Sequence, residues 1–283
     1  MQLRELDINA PLSNLPRSIG LLKHLERFVV GKFVSGQVNL TKLPEEFFHL
    51  HSLTTLVLID YSKMKSLPEF FALLSGLQHI DLSFCCNLEM LPSSFIFLSQ
   101  LRHINLSDFH DLARITDSIC HLDGLQHIDM RGCHNLERIP DSFGDLRDLR
   151  HINLSGCHDL QRLPDSFGEL RYLQHIDLQG CHNLEDLPTT FGDLMNLKYI
   201  NLSNYHDLER LPESFVNLSN VQHIDLSGCR NLERLPYSFR DLKKLKYLDV
   251  EGFSNLIIDK FEIIQISDNL PVAHQSQLEQ LYE

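Results

Sequence analysis

The 283-residue chain is short of positive charge: 25 Lys and Arg stand against 38 Asp and Glu, a formal net charge of −13. No basic cluster interrupts that balance, which disfavours a nucleic-acid backbone or an anionic membrane as the main partner. No apolar run approaches the roughly 20 residues a membrane-spanning helix needs. The opening residues, Met1-Gln2-Leu3-Arg4-Glu5, lack a charged-then-apolar targeting segment. Seven cysteines stand at 85, 86, 120, 133, 157, 181 and 229, with no CxxC pair among them. An odd number without that spacing argues against a disulfide framework or a zinc cluster. Free, buried thiols fit a reducing, cytoplasmic compartment. The sequons at Asn39, Asn105, Asn153, Asn201 and Asn217 agree, because secretion would place glycans on the face assigned below to recognition.

What the chain has in abundance is self-similarity. One stretch reads Leu146-Arg-Asp-Leu149-Arg-His-Ile152-Asn-Leu154-Ser-Gly-Cys157-His-Asp-Leu160-Gln-Arg-Leu163-Pro164-Asp-Ser-Phe167-Gly-Glu, and its pattern returns every 24 residues. Turns open at Leu50, Leu74, Leu98, Leu122, Leu146, Leu170, Leu194, Leu218 and Leu242. The turn opening at Leu22 runs to 28 residues, with extra chain near Gly31–Gly36, and the turn before it is short by about two. Such a period marks a leucine-rich-repeat array. The predicted class is therefore α/β to mostly β, a curved solenoid of about eleven turns with parallel strands on its concave face. The predicted boundaries are 1–256 for the solenoid and 257–283 for a C-terminal cap and polar tail, with Phe261–Ile266 as a closing strand. The absence of a polar cap before Leu3 predicts an upstream segment or domain covering that end.

Alternation along a strand sends Leu149, Ile152 and Leu154 inward and His151 and Asn153 outward. Cys157 is expected inside, in a packed column whose slot is taken elsewhere by Tyr61, Phe109, Tyr205 and Phe253. Leu163-Pro164 turns the chain outward, where proline needs no ladder hydrogen bond. Phe47, Phe71, Phe95, Phe143, Phe167, Phe191, Phe215 and Phe239 form an outer aromatic column, with Ile119 in that slot once.

Eleven of the sixteen histidines fall in two columns. One comprises His79, His103, His127, His151, His175 and His223, completed by Tyr199 and Tyr247. The other is His110, His134, His158, His182 and His206. Two residues after the first column, Asp81, Asn105, Asp129, Asn153, Asp177, Asn201 and Asp225 alternate, which keeps like charges off adjacent strands. A 48-residue period underlies this: turns with Gln-His-Ile-Asp alternate with turns carrying a base and Asn. The columns read either as a stabilising side-chain ladder or as a recognition face, and the two coexist. Catalysis is not expected. His79, Asp81 and Ser83 repeat along an extended chain, with no glycine elbow or oxyanion donors. A shared metal is not expected either, since alternation parts Cys133 from His134, and no cofactor is predicted.

The phrase Leu226-Ser-Gly-Cys229-Arg-Asn-Leu232-Glu-Arg-Leu235-Pro-Tyr-Ser-Phe239 resembles the repeats of plant intracellular nucleotide-binding leucine-rich-repeat immune receptors. So do Met130-Arg-Gly-Cys133-His-Asn-Leu136, Leu178-Gln-Gly-Cys181-His-Asn-Leu184 and Leu25-Glu-Arg-Phe-Val-Val-Gly31-Lys32. Ras-group leucine-rich-repeat scaffolds share the Leu-Pro ending but usually carry Asn at the Cys position. Extracellular plant receptors favour a Gly-x-Ile-Pro element that is missing. No phosphate-binding Gly-rich loop is present, so the resemblance implies the sensing or regulatory arm of a receptor, with a nucleotide-binding domain upstream, or a free-standing relative. Its partner is expected to be a protein held on the concave strands. The departures Arg102, Arg131, Arg150, Gln179 and Lys198 are expected to form one mixed-sign stripe, beside His103, Asn105, His127, Asp129, His151, Asn153, His175, Asp177, Tyr199, Asn201, His223 and Asp225. A scaffold for a signalling protein is the alternative within this class. A small-molecule receptor is the alternative outside it, and it requires a deep apolar pocket that the polar columns do not suggest.

Overall fold

The computed structural model describes residues 2–9, 12–31, 40–61, 63–236 and 239–252. Eleven strands form one parallel sheet in strictly sequential order. They are β1 (Glu5–Ile8), β2 (Arg27–Val30), β3 (Thr55–Leu58), β4 (His79–Asp81), β5 (His103–Asn105), β6 (His127–Asp129), β7 (His151–Asn153), β8 (His175–Asp177), β9 (Tyr199–Asn201), β10 (His223–Asp225) and β11 (Tyr247–Asp249). From β3 onward each residue pairs with its equivalent one repeat later, His79 with His103 and Ile80 with Ile104. That register turns sequence columns into physical columns. The two irregular turns keep it as well: Glu5 pairs with Arg27 and Arg27 with Thr55, so the sheet absorbs a short and a long repeat without a slip.

The inner positions are closed to solvent. Leu149, Ile152, Leu154, Cys157 and Leu160 are all buried, and the same columns continue through one hydrophobic cluster from Leu15 to Val250. No turn encloses its own apolar side; each is covered by its neighbours. The outer side is built from single 3-10 turns such as Asp165–Glu169. Pro164, with φ near −70°, starts this one, and its carbonyl accepts the Phe167 N–H. At Asp117–Cys120 Thr116 replaces that proline, and the turn becomes the short helix α1. Gly144, Gly168 and Gly192 follow the buried phenylalanine because the next turn's carbonyl oxygen lies where a Cβ would be, Ser166 O in the case of Gly144. The segments 32–39 and 253–283 lie outside the described residues, and with them the inserted chain after Gly31, Asn39, Phe253, the expected closing strand and the tail.

Candidate functional site

The strands of β4 to β11 are only three residues long, so each presents two side chains to the concave face: an aromatic ring first, then Asp or Asn. The first column is a continuous stack. Ring centroids lie 4.4 Å apart for His79–His103, 4.2 Å for His103–His127, 4.3 Å for His127–His151 and 4.4 Å for His151–His175. Tyr199 tilts against His175 and then stacks on His223, which stacks on Tyr247 at 4.0 Å. The second column stacks too, from His110 to His206, at 4.6–5.2 Å.

Stacking at strand spacing has an electrostatic consequence. The Nδ1 atoms of His103, His127, His151 and His175 are buried without a hydrogen-bond partner. Burial lowers the pKa of His127 to about 4, and the imidazoles of His103 and His151 add to the effect. His103, His151 and His175 are lowered as well, again chiefly by burial, with charged neighbours contributing. His103, His127, His151 and His175 are therefore neutral at pH 7.

The Asp and Asn column does structural work that the sequence did not disclose. Asp81 Oδ1 accepts the Ser83 N–H, Asn105 Oδ1 that of Ser107, Asp129 Oδ1 that of Arg131, and Asp177 Oδ1 that of Gln179. Each caps the turn that leaves its strand. The side chains of Asp129 and Asp177 are half-buried, and burial pushes their pKa values up; a hydrogen bond from Asn201 partly relieves Asp177.

His103, Asn105, His127, Asp129, His151, Asn153, His175, Asp177 and Tyr199 line a groove of about 700 Å³ that also takes in Thr55, Val57, His79 and Asp81. Asn201, His223 and Asp225 continue the same columns on β9 and β10. The expected single mixed-sign stripe is not what forms. Because the strands are so short, Arg102, Arg150 and Lys198 sit immediately before β5, β7 and β9, while Arg131 and Gln179 sit two residues past β6 and β8. The five departures fall on opposite rims, with the ring stack and the Asp/Asn column between them. Lys198 Nζ donates to Gln174 Oε1 at 3.1 Å, and the Arg102 guanidinium lies over the backbone of Gly124, where a side chain would collide with it. Arg131 Nε stands 3.8 Å from Asp129 Oδ2.

Beneath this face the cysteines form a third column. Cys133, Cys157, Cys181 and Cys229 are buried, free thiols whose Sγ donates to the carbonyl oxygens of Leu106, Met130, Leu154 and Leu202 at 3.1–3.2 Å. Burial pushes Cys133 and Cys181 up to about 12. Cys133 faces inward and the His134 ring is turned to the Gly156 carbonyl, so the two do not converge. Among the described residues no group of three or more His, Cys, Asp or Glu side chains is placed to hold a metal ion.

Eleven sequential parallel strands, 24-residue spacing and 3-10 turns on the outer side coincide with two family models, the leucine rich repeat over 172–230 and its single-repeat form over 124–146, 148–170 and 220–242. This is a leucine-rich-repeat solenoid. The solenoid is similar to the leucine-rich repeat domain of the type III effector XopL, at 27% identity over 71% of this chain and 69% of that one, with a TM-score of 0.61. It is also similar in fold to a Leptospira interrogans LRR protein (20% identity, 99% and 94% coverage, TM-score 0.52). A third similar structure is the Drosophila Toll–Spatzle complex (22% identity, 88% of this chain and 36% of that one, TM-score 0.63). No curated protein matches the sequence significantly. The similar structures span bacterial, insect and plant receptor proteins at 20–27% identity, so they support the repeat class, and the resemblance to plant intracellular receptors rests on sequence alone. No helix among the described residues is long and apolar enough to cross a membrane.

Proposed function

We propose that this solenoid is a non-enzymatic recognition module that holds a protein partner on its concave strands between roughly residues 100 and 230. It serves as the sensing or regulatory region of a plant-type intracellular immune receptor, or as a free-standing relative, in the reducing cytoplasm. Leucine-rich-repeat solenoids typically act as binding scaffolds. The observation that carries the reading is the contrast between positions. Inward residues repeat every 24 residues almost without change because packing dictates them, whereas the rims vary from turn to turn, with Arg102, Arg150 and Lys198 in alternate turns on one rim and Arg131 and Gln179 on the other. Variation along an extended curved surface gives a repeat protein its specificity, and the rim bases beside the Asp column suit electrostatic complementarity with another protein. A catalytic role is disfavoured because the Asp81 Oδ1 that would orient His79 is committed to the Ser83 backbone. On the resemblance to plant receptors, this reading includes a nucleotide-binding domain upstream in the natural protein.

The test is charge reversal. Arg102→Glu, Arg150→Glu and Lys198→Glu together are expected to abolish recovery of the partner from the native cell. Arg138→Glu, Arg162→Glu and Arg210→Glu, which lie on the far side in the bridges Arg114–Arg138, Arg138–Arg162 and Arg210–Arg234, are expected to leave it intact. Loss in the second variant with retention in the first would move the interface to the convex side.

A further inference from the structure

The concave face carries two charged rails with a neutral aromatic floor between them. On one side Arg102, Arg150 and Lys198 precede β5, β7 and β9. They lie close enough to the imidazoles for Arg150 to act on His127 and His151, and Lys198 on His151 and His175. On the other side Asp81, Asp129 and Asp177 close β4, β6 and β8, with Asn105 and Asn153 on the strands between. The rails are one turn out of step, and like charges on each recur at every second strand.

That period is a ruler. Strands about 4.8 Å apart put successive carboxylates roughly 9.6 Å apart along the solenoid. An extended β-strand peptide cannot present a row of side chains at that interval, because its residues three apart face opposite ways. A polyproline II helix can: with three residues per turn and a rise of about 3.1 Å, residues i, i+3 and i+6 share one face at intervals of about 9.3 Å. Such a segment runs across the strands along the groove, sets one row of side chains on the Asp rail, and lays its neutral ridge on the imidazole edges. Each Asp spends Oδ1 on its own turn, at Ser83, Arg131 and Gln179, so an outside donor is directed to Oδ2, and at Asp177 it competes with the Asn201 amide. At Asp129 this oxygen already draws the exposed Arg131 guanidinium.

We infer that the groove between β4 and β8 takes a polyproline II segment carrying Lys or Arg at every third position, each base set against Asp81, Asp129 or Asp177. The inference rests on the reading of the concave face as the recognition surface and adds the conformation and charge spacing of what it recognises.

The protein itself supplies the control. Asn occupies the Asp slot in β5, β7 and β9 and caps the turn through the same oxygen, as Asn105 Oδ1 does for Ser107 and Asn153 Oδ1 for Ser155. The variant Asp81→Asn, Asp129→Asn, Asp177→Asn therefore removes three charges and keeps three turns. Two labelled peptides of equal length and charge serve as probes, one of Pro-Pro-Lys triplets and one with the same number of lysines at alternate positions in a Pro/Gly background. Binding is read by fluorescence anisotropy at pH 7.5 and moderate salt. The triplet peptide is expected to bind roughly tenfold tighter than its rival and to lose at least that factor in the Asn variant, whose circular dichroism and melting are unchanged. Equal binding of the two peptides, or undiminished binding to the folded Asn variant, overturns the inference. The base-rail variant Arg102→Glu, Arg150→Glu, Lys198→Glu separates the two readings. If it loses the cellular partner while the triplet peptide fails to bind, the concave face stands as the interface and the polyproline II occupant falls.

Discussion

The imidazole of His127 lies over that of His151 with centroids 4.3 Å apart and planes 7° from parallel. Two rings so placed cannot both carry a proton cheaply, and burial already holds His127 to a pKa of about 4 against an ordinary 6.5. An unfolded chain binds protons at these positions below about pH 6.5 that the folded chain refuses. The stability held above pH 6.5 is therefore lost progressively as pH falls towards 4. Asp129 and Asp177 act in the opposite sense, since their raised values favour proton uptake by the folded state, but only between 3.8 and those raised values. The urea midpoint is expected to fall between pH 6.5 and 4.5, reflecting a loss of unfolding free energy on the order of 1 kcal/mol once solvent screening at the ring edges is allowed for. His127→Asn should flatten that fall. A midpoint that does not change over this range, or an equal fall in the variant, would remove the ladder as its cause.

The thiols give a second prediction. Six of the seven cysteines are buried, and Cys86 is partly exposed beside the carbonyl of Phe84. A thiolate is the reactive form, and burial suppresses it both in the column, where Cys229 is pushed up to about 12, and on the outer side, where Cys120 in α1 is pushed up to about 11. Titration with a thiol reagent in native buffer is expected to modify Cys86 first, with the other six reacting only after denaturant is added. Fast native labelling of Cys133, Cys157 or Cys181, located by mass spectrometry, would show that the column is open.

Much of this architecture is written in the sequence because a repeat states its own period. The inward Leu149, Ile152 and Leu154, the outward His151 and Asn153, the Phe167 column and even the 22- and 28-residue turns follow from spacing alone, since one-to-one register leaves alternation nothing else to do. What spacing does not carry is where a short strand ends. Arg131 and Arg150 look equivalent as departures from the repeat, yet three-residue strands put them on opposite rims. Nor does composition show that Asp81 and Asn153 cap turns; the Asp or Asn two residues before a Ser, Arg or Gln is the signal that was available, and it reads as surface polarity until the backbone is seen. The slot after that cap hides a further feature. Five turns place Gly there with positive φ, from Gly132 to Gly252, while Asp60, Phe84, Asp108 and Asn204 adopt the same left-handed backbone without being glycine.

Two phenylalanines then separate core packing from backbone strain. Phe167 is fully buried, stacked on Phe143 at 5.8 Å and 4°, and its N–H closes the 3-10 turn on Pro164. Truncation to Ala leaves a void between turns that cannot collapse independently, so Phe167→Ala is expected to cost ~3–5 kcal/mol, with the loss spreading to neighbouring repeats. Phe84 is the opposite case. Its φ is 62° and the residue is 46% exposed. A left-handed backbone costs a bulky residue ~1–2 kcal/mol. Glycine relieves that strain, although its extra freedom in the unfolded chain returns ~0.5–1 kcal/mol. Phe84→Gly is therefore expected to raise stability by up to about 1 kcal/mol, in the direction opposite to Phe167→Ala. Urea unfolding of both variants under identical conditions decides it. A cost below about 1 kcal/mol at Phe167 would mean that the outer column is not part of the core. A clear destabilisation at Phe84 would mean that its exposed ring makes contacts worth more than the strain of holding it there.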